Sequence, residues 1–205
     1  MSTKETILER STELFAKNGY NGVSVRTIAR ATGITEGSIY NHFSSKADIM
    51  NEILKEHAEE LEKKMPTGKM LIDSYDKPDW KPAWAYRIKM LEDAADEEVN
   101  LNVICILTSE QYRSEKAAEI VLKYYLDIPV GITRDLFEHL ESKGTQLKGS
   151  PEVLANIYQY PMFTMTQEYA MRLSQGQDCK DVIRKMKEHV AFFWNEIMEK
   201  DFDFL

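Results

Sequence analysis

Apolar residues recur along most of this chain at the three- and four-residue spacing of an amphipathic helix, and no segment shows the alternation of a half-buried strand. The pattern predicts a first helix from about Lys4 to Asn18, with Ile7, Ser11, Leu14 and Phe15 on one face and Gly19 as its stop. Ser24 is placed to cap a second helix over 25–32. Gly33 then turns the chain, and Thr35 caps a third helix from Glu36 to about Phe43. Ser44 or Ser45 caps a fourth that runs to about Lys64, with Asp48 in its first turn. Between Met65 and Pro82 four breakers, Pro66, Gly68, Pro78 and Pro82, predict a connector with room for one short helical turn. Helices resume over about 83–98, 101–111 and 115–143, the last interrupted at Pro129. Two more follow: 151–175, opened by Ser150-Pro151-Glu152 and bent at Pro161, and 179–200. The fold class is therefore all-α.

The segment Ser24 to Lys46, SVRTIARATGITEGSIYNHFSSK, is two short helices joined by a glycine turn. This is the helix-turn-helix pattern, whose second helix enters the major groove of DNA. On that helix Ile39 and Phe43 lie one turn apart and face inward with Ile28, Ala29 and Ile34, so Gly37, Ser38, Tyr40 and Asn41 point outward. These are small or hydrogen-bonding side chains, where a merely solvated face more often carries Lys and Glu. A glycine costs a helix about 1 kcal/mol, which makes sense at position 37 where backbone must approach a partner closely.

Net charge first argues against nucleic acid, because the 205 residues sum to −8. Its distribution reverses that. Residues 1–50 hold six basic side chains (Lys4, Arg10, Lys17, Arg26, Arg30, Lys46) against five acidic ones, so the acidity lies in the remainder. Screening over ~8 Å at physiological salt isolates the two ends. Cys105 and Cys179 are far apart and belong to no C-x-x-C pattern, and the four histidines are scattered, so neither metal nor cofactor is expected. No apolar run approaches the ~20 residues of a membrane span, and the charged N-terminus lacks a secretory signal. The expected location is cytoplasmic.

The combination Leu14-Phe15-Ala16-Lys17-Asn18-Gly19-Tyr20, Ser24-Val25-Arg26-Thr27-Ile28-Ala29, Gly33-Ile34, Gly37-Ser38-Ile39-Tyr40-Asn41-His42-Phe43 and Lys46 resembles the DNA-binding domain of the TetR family of bacterial regulators. The resemblance covers about a quarter of the chain. It implies a helix-turn-helix domain at 1–47, a fourth helix at 46–64 linking onward, and a larger helical effector-binding and dimerisation domain at 65–205. By position it implies phosphate contacts from Tyr40, His42 and Lys46, and base-edge contacts from Ser38, Asn41 and the Gly37 backbone. Thr35 would lie near the DNA backbone, and Arg26 and Thr27 would add groove or phosphate contacts. Two positions depart from the pattern: Ser11 replaces a usual alanine, and Glu36 brings negative charge to the DNA-facing end where lysine is frequent, there to cap the helix or to accept from a cytosine amine.

A dimer would present two reading helices to a palindromic duplex. The final two helices are the expected dimer interface, with the stripe Val182, Met186, Val190, Phe193 and Ile197 on the last, because the consecutive Phe192, Phe193 and Trp194 cannot all face one core. Tyr86, Met90, Ile106, Tyr112, Tyr124, Phe137, Tyr158 and Phe163 supply the aromatic and methionine lining suited to a small-molecule effector whose identity the residues do not give. The expected function is a dimeric repressor released from its operator by that effector. The alternatives are an adaptor that uses the helix-turn-helix for protein contacts, or a helical small-molecule enzyme. Against the last stands the want of a Ser/His/Asp order, a metal cluster or a phosphate loop.

Overall fold

The computed structural model describes residues 2–65, 67–75, 88 and 98–198, and these are helices and turns without a strand. The helices are α1 (Thr3–Asn18), α2 (Val25–Thr32), α3 (Glu36–Tyr40), α4 (Lys46–Lys64), α5 (Gly68–Tyr75), α6 (Glu98–Glu110), α7 (Glu115–Leu122), α8 (Ile128–Ser142), α9 (Pro151–Ser174) and α10 (Lys180–Met198). The helix expected over 83–98 lies, but for its residues 88 and 98, outside the described residues, as do Tyr86 and Met90.

Short polar side chains set most of the starts. Ser2 and Glu5 form a reciprocal capping box at α1: the Ser2 hydroxyl accepts the Glu5 N–H and the Glu5 carboxylate accepts the Ser2 N–H. Ser24, Thr35, Ser45, Ser114 and Ser150 each accept an N–H three residues on, capping α2, α3, α4, α7 and α9. Gly33 ends α2 in the left-handed conformation, φ 70°, which an L side chain adopts only with strain.

Three expectations change. α3 stops at Tyr40 rather than Phe43, because the Asn41–His42 turn tightens, with the His42 N–H donating to the Ile39 carbonyl at 2.9 Å. The connector holds a full helix, α5. The long helix expected over 115–143 breaks ahead of Pro129: the chain widens into a π turn over Lys123–Asp127 and resumes as α8. Proline has no N–H for the carbonyl four residues back and its ring crowds that turn, so the wider turn falls where the ladder has to be relieved.

Packing does not divide at residue 65. One apolar cluster gathers Ile7, Phe15, Val23, Ile28, Ile39, Phe43, Ile49, Ile53 and Leu54 from α1–α4 together with Val103, Ile106 and Leu107 of α6, Ala117, Ile120 and Val121 of α7, and Tyr124. A second gathers Leu136, Phe137 and Leu140 of α8, Leu154, Tyr158 and Met162 of α9, and Val182, Met186, Val190, Phe193 and Trp194 of α10. We call α1–α4 the head and the later helices the body. The head's core is closed by body helices.

Candidate nucleic-acid interface

α3 sits on the first core by two anchors, Ile39 at 1% exposure and Phe43 at 3%. With these buried, the remaining positions face outward: Glu36, Gly37, Tyr40, Asn41 and His42 are exposed, Tyr40 at 53%. Arg26 on α2 is exposed as well, and Thr27 is half-buried with its hydroxyl 2.9 Å from that of Ser24. Thr35 and Ser38 are tied together at the start of α3. The Thr35 Oγ1 accepts the Ser38 N–H at 3.1 Å and lies 2.9 Å from the Ser38 Oγ. A hydroxyl holds one donor and two acceptor positions, so capping uses only part of what these side chains offer.

Gly37 is informative through what surrounds it. A Cβ built there would meet only the Thr35 Oγ1, at 3.8 Å. That is ordinary contact, so nothing within the protomer requires glycine at this point. A residue that weakens its own helix and relieves no internal crowding fits a demand from outside, namely close approach by another molecule.

Lys46 is placed differently from the expected free phosphate ligand. Its Nζ donates to the Tyr20 carbonyl and to the Val23 carbonyl, both at 2.8 Å, and stands 4.0 Å from the centre of the Tyr20 ring. It clamps the α1–α2 turn to the start of α4. An ammonium has three donors, so one remains for a phosphate. The compact placement of Phe15 beside Tyr20, ring centres 5.5 Å apart, completes the clamp.

The expected effector residues do not converge. Ile106 and Tyr124 are buried in the first cluster with Phe163 packed against it, while Phe137 and Tyr158 are buried in the second. Tyr112 is 90% exposed in the α6–α7 turn and lines no interior space. Four of these, Ile106, Tyr124, Phe137 and Tyr158, are core, and Tyr112 is in solvent. A cleft of about 240 Å³ opens elsewhere, between α1 and α4, floored by Leu8, Ile53 and Val103 and rimmed by Glu5, Glu9, Glu56 and Glu60. Burial and the neighbouring Glu52 hold the Glu56 carboxyl above its ordinary range. His57 lies at the back of the cleft, its Nε2 3.1 Å from the Tyr125 hydroxyl, and burial pushes its pKa down to about 4.

The expected partner stripe is likewise taken up within the protomer. Val182, Met186, Val190 and Phe193 are buried in the second cluster, so they have little surface left to share; the Ile197 side chain lies outside the described residues. The large apolar side chains that α9 leaves exposed are Val153, Ile157, Tyr160 and Met171, which recur at helical spacing opposite the buried Leu154, Tyr158 and Met162. On α10, packed against α9, Phe192 is 67% exposed. The sequence expectation names both helices and Phe192, but not these positions of α9. The available signal was that α9 is apolar on two sides, which one core cannot cover.

Among the described residues no group of His, Cys, Asp and Glu has metal-site geometry, and no helix is long and apolar enough to cross a membrane.

Comparison with known proteins adds a sequence match and a shape match. The family described as bacterial regulatory proteins, tetR family, matches residues 7–53. The transcriptional repressor KstR2 of Rhodococcus jostii is 42% identical over 55 residues, 27% of each chain. The fatty acid metabolism regulator protein of Bacillus subtilis is 29% identical over 139 residues, 67% of this chain and 69% of its own. The first curated relatives are matched over less than a third of their length. In shape, the chain is similar to SmeT, the repressor of a Stenotrophomonas maltophilia multidrug efflux pump, in its complex with triclosan: TM-score 0.68, 15% identity, covering 99% of this chain and 95% of that one. That likeness is one of fold, and it runs through the body as well as the head.

Proposed function

We propose that this chain, whose residues 7–53 match the family described as bacterial regulatory proteins, tetR family, is a cytoplasmic, dimeric, DNA-binding repressor released from a palindromic operator by a small molecule. The observation that carries this reading is the outward face of α3. Its two apolar anchors are buried, Gly37, Tyr40 and Asn41 are presented together, and Gly37 serves no internal need. In the groove, Asn41 reads a base edge, the Gly37 backbone allows close approach, and Tyr40, His42 and the third donor of Lys46 meet phosphates. Arg26 and Thr27 flank the same groove from α2. Bidentate contacts to bases supply discrimination, while phosphate contacts supply affinity and register.

Two copies are needed to reach half-sites one helical turn apart, about 34–36 Å. The exposed apolar residues of α9 with Phe192 of α10 support pairing there, since removing apolar area from water favours association. The effector acts by population shift: it binds more tightly to the arrangement in which the two α3 helices are wrongly spaced. A small, largely apolar effector is in keeping with two of the similar proteins, the fatty acid metabolism regulator protein of Bacillus subtilis and SmeT in its complex with triclosan.

The test is selection of bound sequences from random duplexes, followed by titration of the recovered duplex. Expected is a palindrome with half-sites spaced by one turn, and an Asn41→Ala variant that loses ~1–3 kcal/mol on it and relaxes the preference at one position. Recovery of no consensus, with retention insensitive to salt, would turn the reading toward a protein-binding adaptor.

A further inference from the structure

We infer that Glu110, at the end of α6, is the positioning residue through which the body sets the orientation of the head; the inference rests on the DNA-binding reading above and names how that face is regulated.

α6 packs along α1 and sends Val103, Ile106 and Leu107 into the head's core. At its last residue the contact turns polar. The Glu110 side chain is buried, at 8% exposure, and its Oε1 accepts the backbone N–H of Tyr20 at 3.4 Å. Tyr20 is held again from its other side, where the carbonyl accepts from Lys46 Nζ at 2.8 Å and the ring lies under the same ammonium. Lys46 is the first residue of α4 and follows α3 by a five-residue turn. One residue of the α1–α2 turn is thus gripped by a carboxylate from the body and an ammonium from the head.

A carboxylate is an expensive choice at such a place. Burying an acid against one N–H forfeits hydration that an apolar residue at the edge of the cluster would not need. What the acid provides is direction: an acceptor fixes the Tyr20 N–H at one distance and angle, whereas apolar contact slides. The grip places Tyr20 at a fixed station relative to α6. Through Lys46 it places the start of α4, and with it the turn that leads back into α3. A displacement of α6 along its axis therefore reaches the reading helix through a short series of hydrogen bonds, in addition to the apolar packing. Coupling of this kind has to act on an element with two arrangements, and we assign that part to the α1–α2 turn, entered through Gly19 at φ 69°.

The test uses the full-length protein and two independent readouts: amide hydrogen exchange over residues 19–25, and anisotropy titration of the selected duplex against a scrambled one. Glu110→Ala is expected to speed exchange at Tyr20 to Val23 and to weaken binding of the selected duplex about tenfold, within the usual range of coupling between sites, with the scrambled duplex unchanged. Glu110→Gln keeps the acceptor and restores both. Should Glu110→Ala fail to fold, Glu110→Leu removes the acceptor while keeping bulk, with the same expected effects. Wild-type exchange and wild-type affinity in Glu110→Ala, or in Glu110→Leu where that stands in for it, would overturn the inference. So would a Glu110→Gln as defective as the variant lacking the acceptor, since the acceptor would then not be the operative group. A wild-type protein that distinguishes no duplex would instead remove the DNA-binding reading, and the exchange readout would still judge Glu110.

Discussion

The outward faces of α3 and α9 are both left open by the protomer, and their chemistry is opposite. α3 shows a carboxylate, a bare glycine, an amide, an imidazole and a phenol, whereas α9 shows Val153, Ile157, Tyr160 and Met171. The first suits a partner whose edges are polar and whose surface has to come within hydrogen-bond reach. The second suits one that removes apolar area from water. Exposure alone says that a face is available; the side chains on it say to what kind of molecule.

The contrast breaks most readily on the α9 side. Replacing Ile157 and Met171 with glutamate places charge where pairing would bury it. Truncating a central anchor alone typically costs ~2–4 kcal/mol, so the dimer should dissociate at least about 100-fold more readily. Sedimentation velocity at micromolar concentration would report monomers, and operator affinity would fall with them. A variant that stayed dimeric would move the interface off α9.

The cores beneath the two faces should also part under acid. His57 belongs to the head side, and its folded pKa of about 4 lies below the ordinary 6.5. The unfolded chain therefore takes the proton first. Stability from this group is complete above pH 6.5 and is lost as pH falls toward 4, about 2 kcal/mol of it between pH 7 and pH 5. His189, half-buried on α10, is lowered for the same reason and adds in the same direction. Urea midpoints measured across that range should flatten in His57→Gln, and exchange in α1 and α4 should rise before exchange in α9. An unchanged pH slope in the variant would show that His57 keeps its proton affinity on folding.

The smallest effect sharpens the α3 side. Gly37→Ala should stabilise the protomer by up to ~1 kcal/mol, the helix-propensity difference, because the new Cβ meets only the Thr35 Oγ1 at an ordinary distance. Its affinity for the selected duplex should drop all the same. A variant both more stable and equally tight would mean that no molecule approaches that point of the backbone.

Much of this was legible in the residues. Caps are written in Ser24, Thr35, Ser45 and Ser150, stops in Gly19 and Gly33, and the inward pair Ile39 and Phe43 follows from helical spacing alone. What escaped was the distinction between surfaces that look alike in one dimension. The stripe Val182, Met186, Val190 and Phe193 is the most regular on α10, and for that reason the protomer's own core takes it. Tyr112 and Tyr124 are the same residue type twelve positions apart, yet one is in solvent and the other buried, because a turn rather than a helix holds the first. Lys46 reads as a free cation until Tyr20 and Val23, more than twenty residues away, supply the carbonyls that hold it. Each of these depends on which distant segment arrives, and local pattern does not encode that.

The closure of the head's core by α6 and α7 limits how the molecule can be taken apart. A fragment ending at Lys64 would bare the sides of α1 and α4 that Val103, Ile106, Leu107 and Ile120 now cover. Such a piece would be sticky and poorly folded as a transplantable recognition module. Grafting this specificity onto a different sensor would require carrying the two covering helices along, so the practical unit of exchange is larger than the segment that touches the duplex.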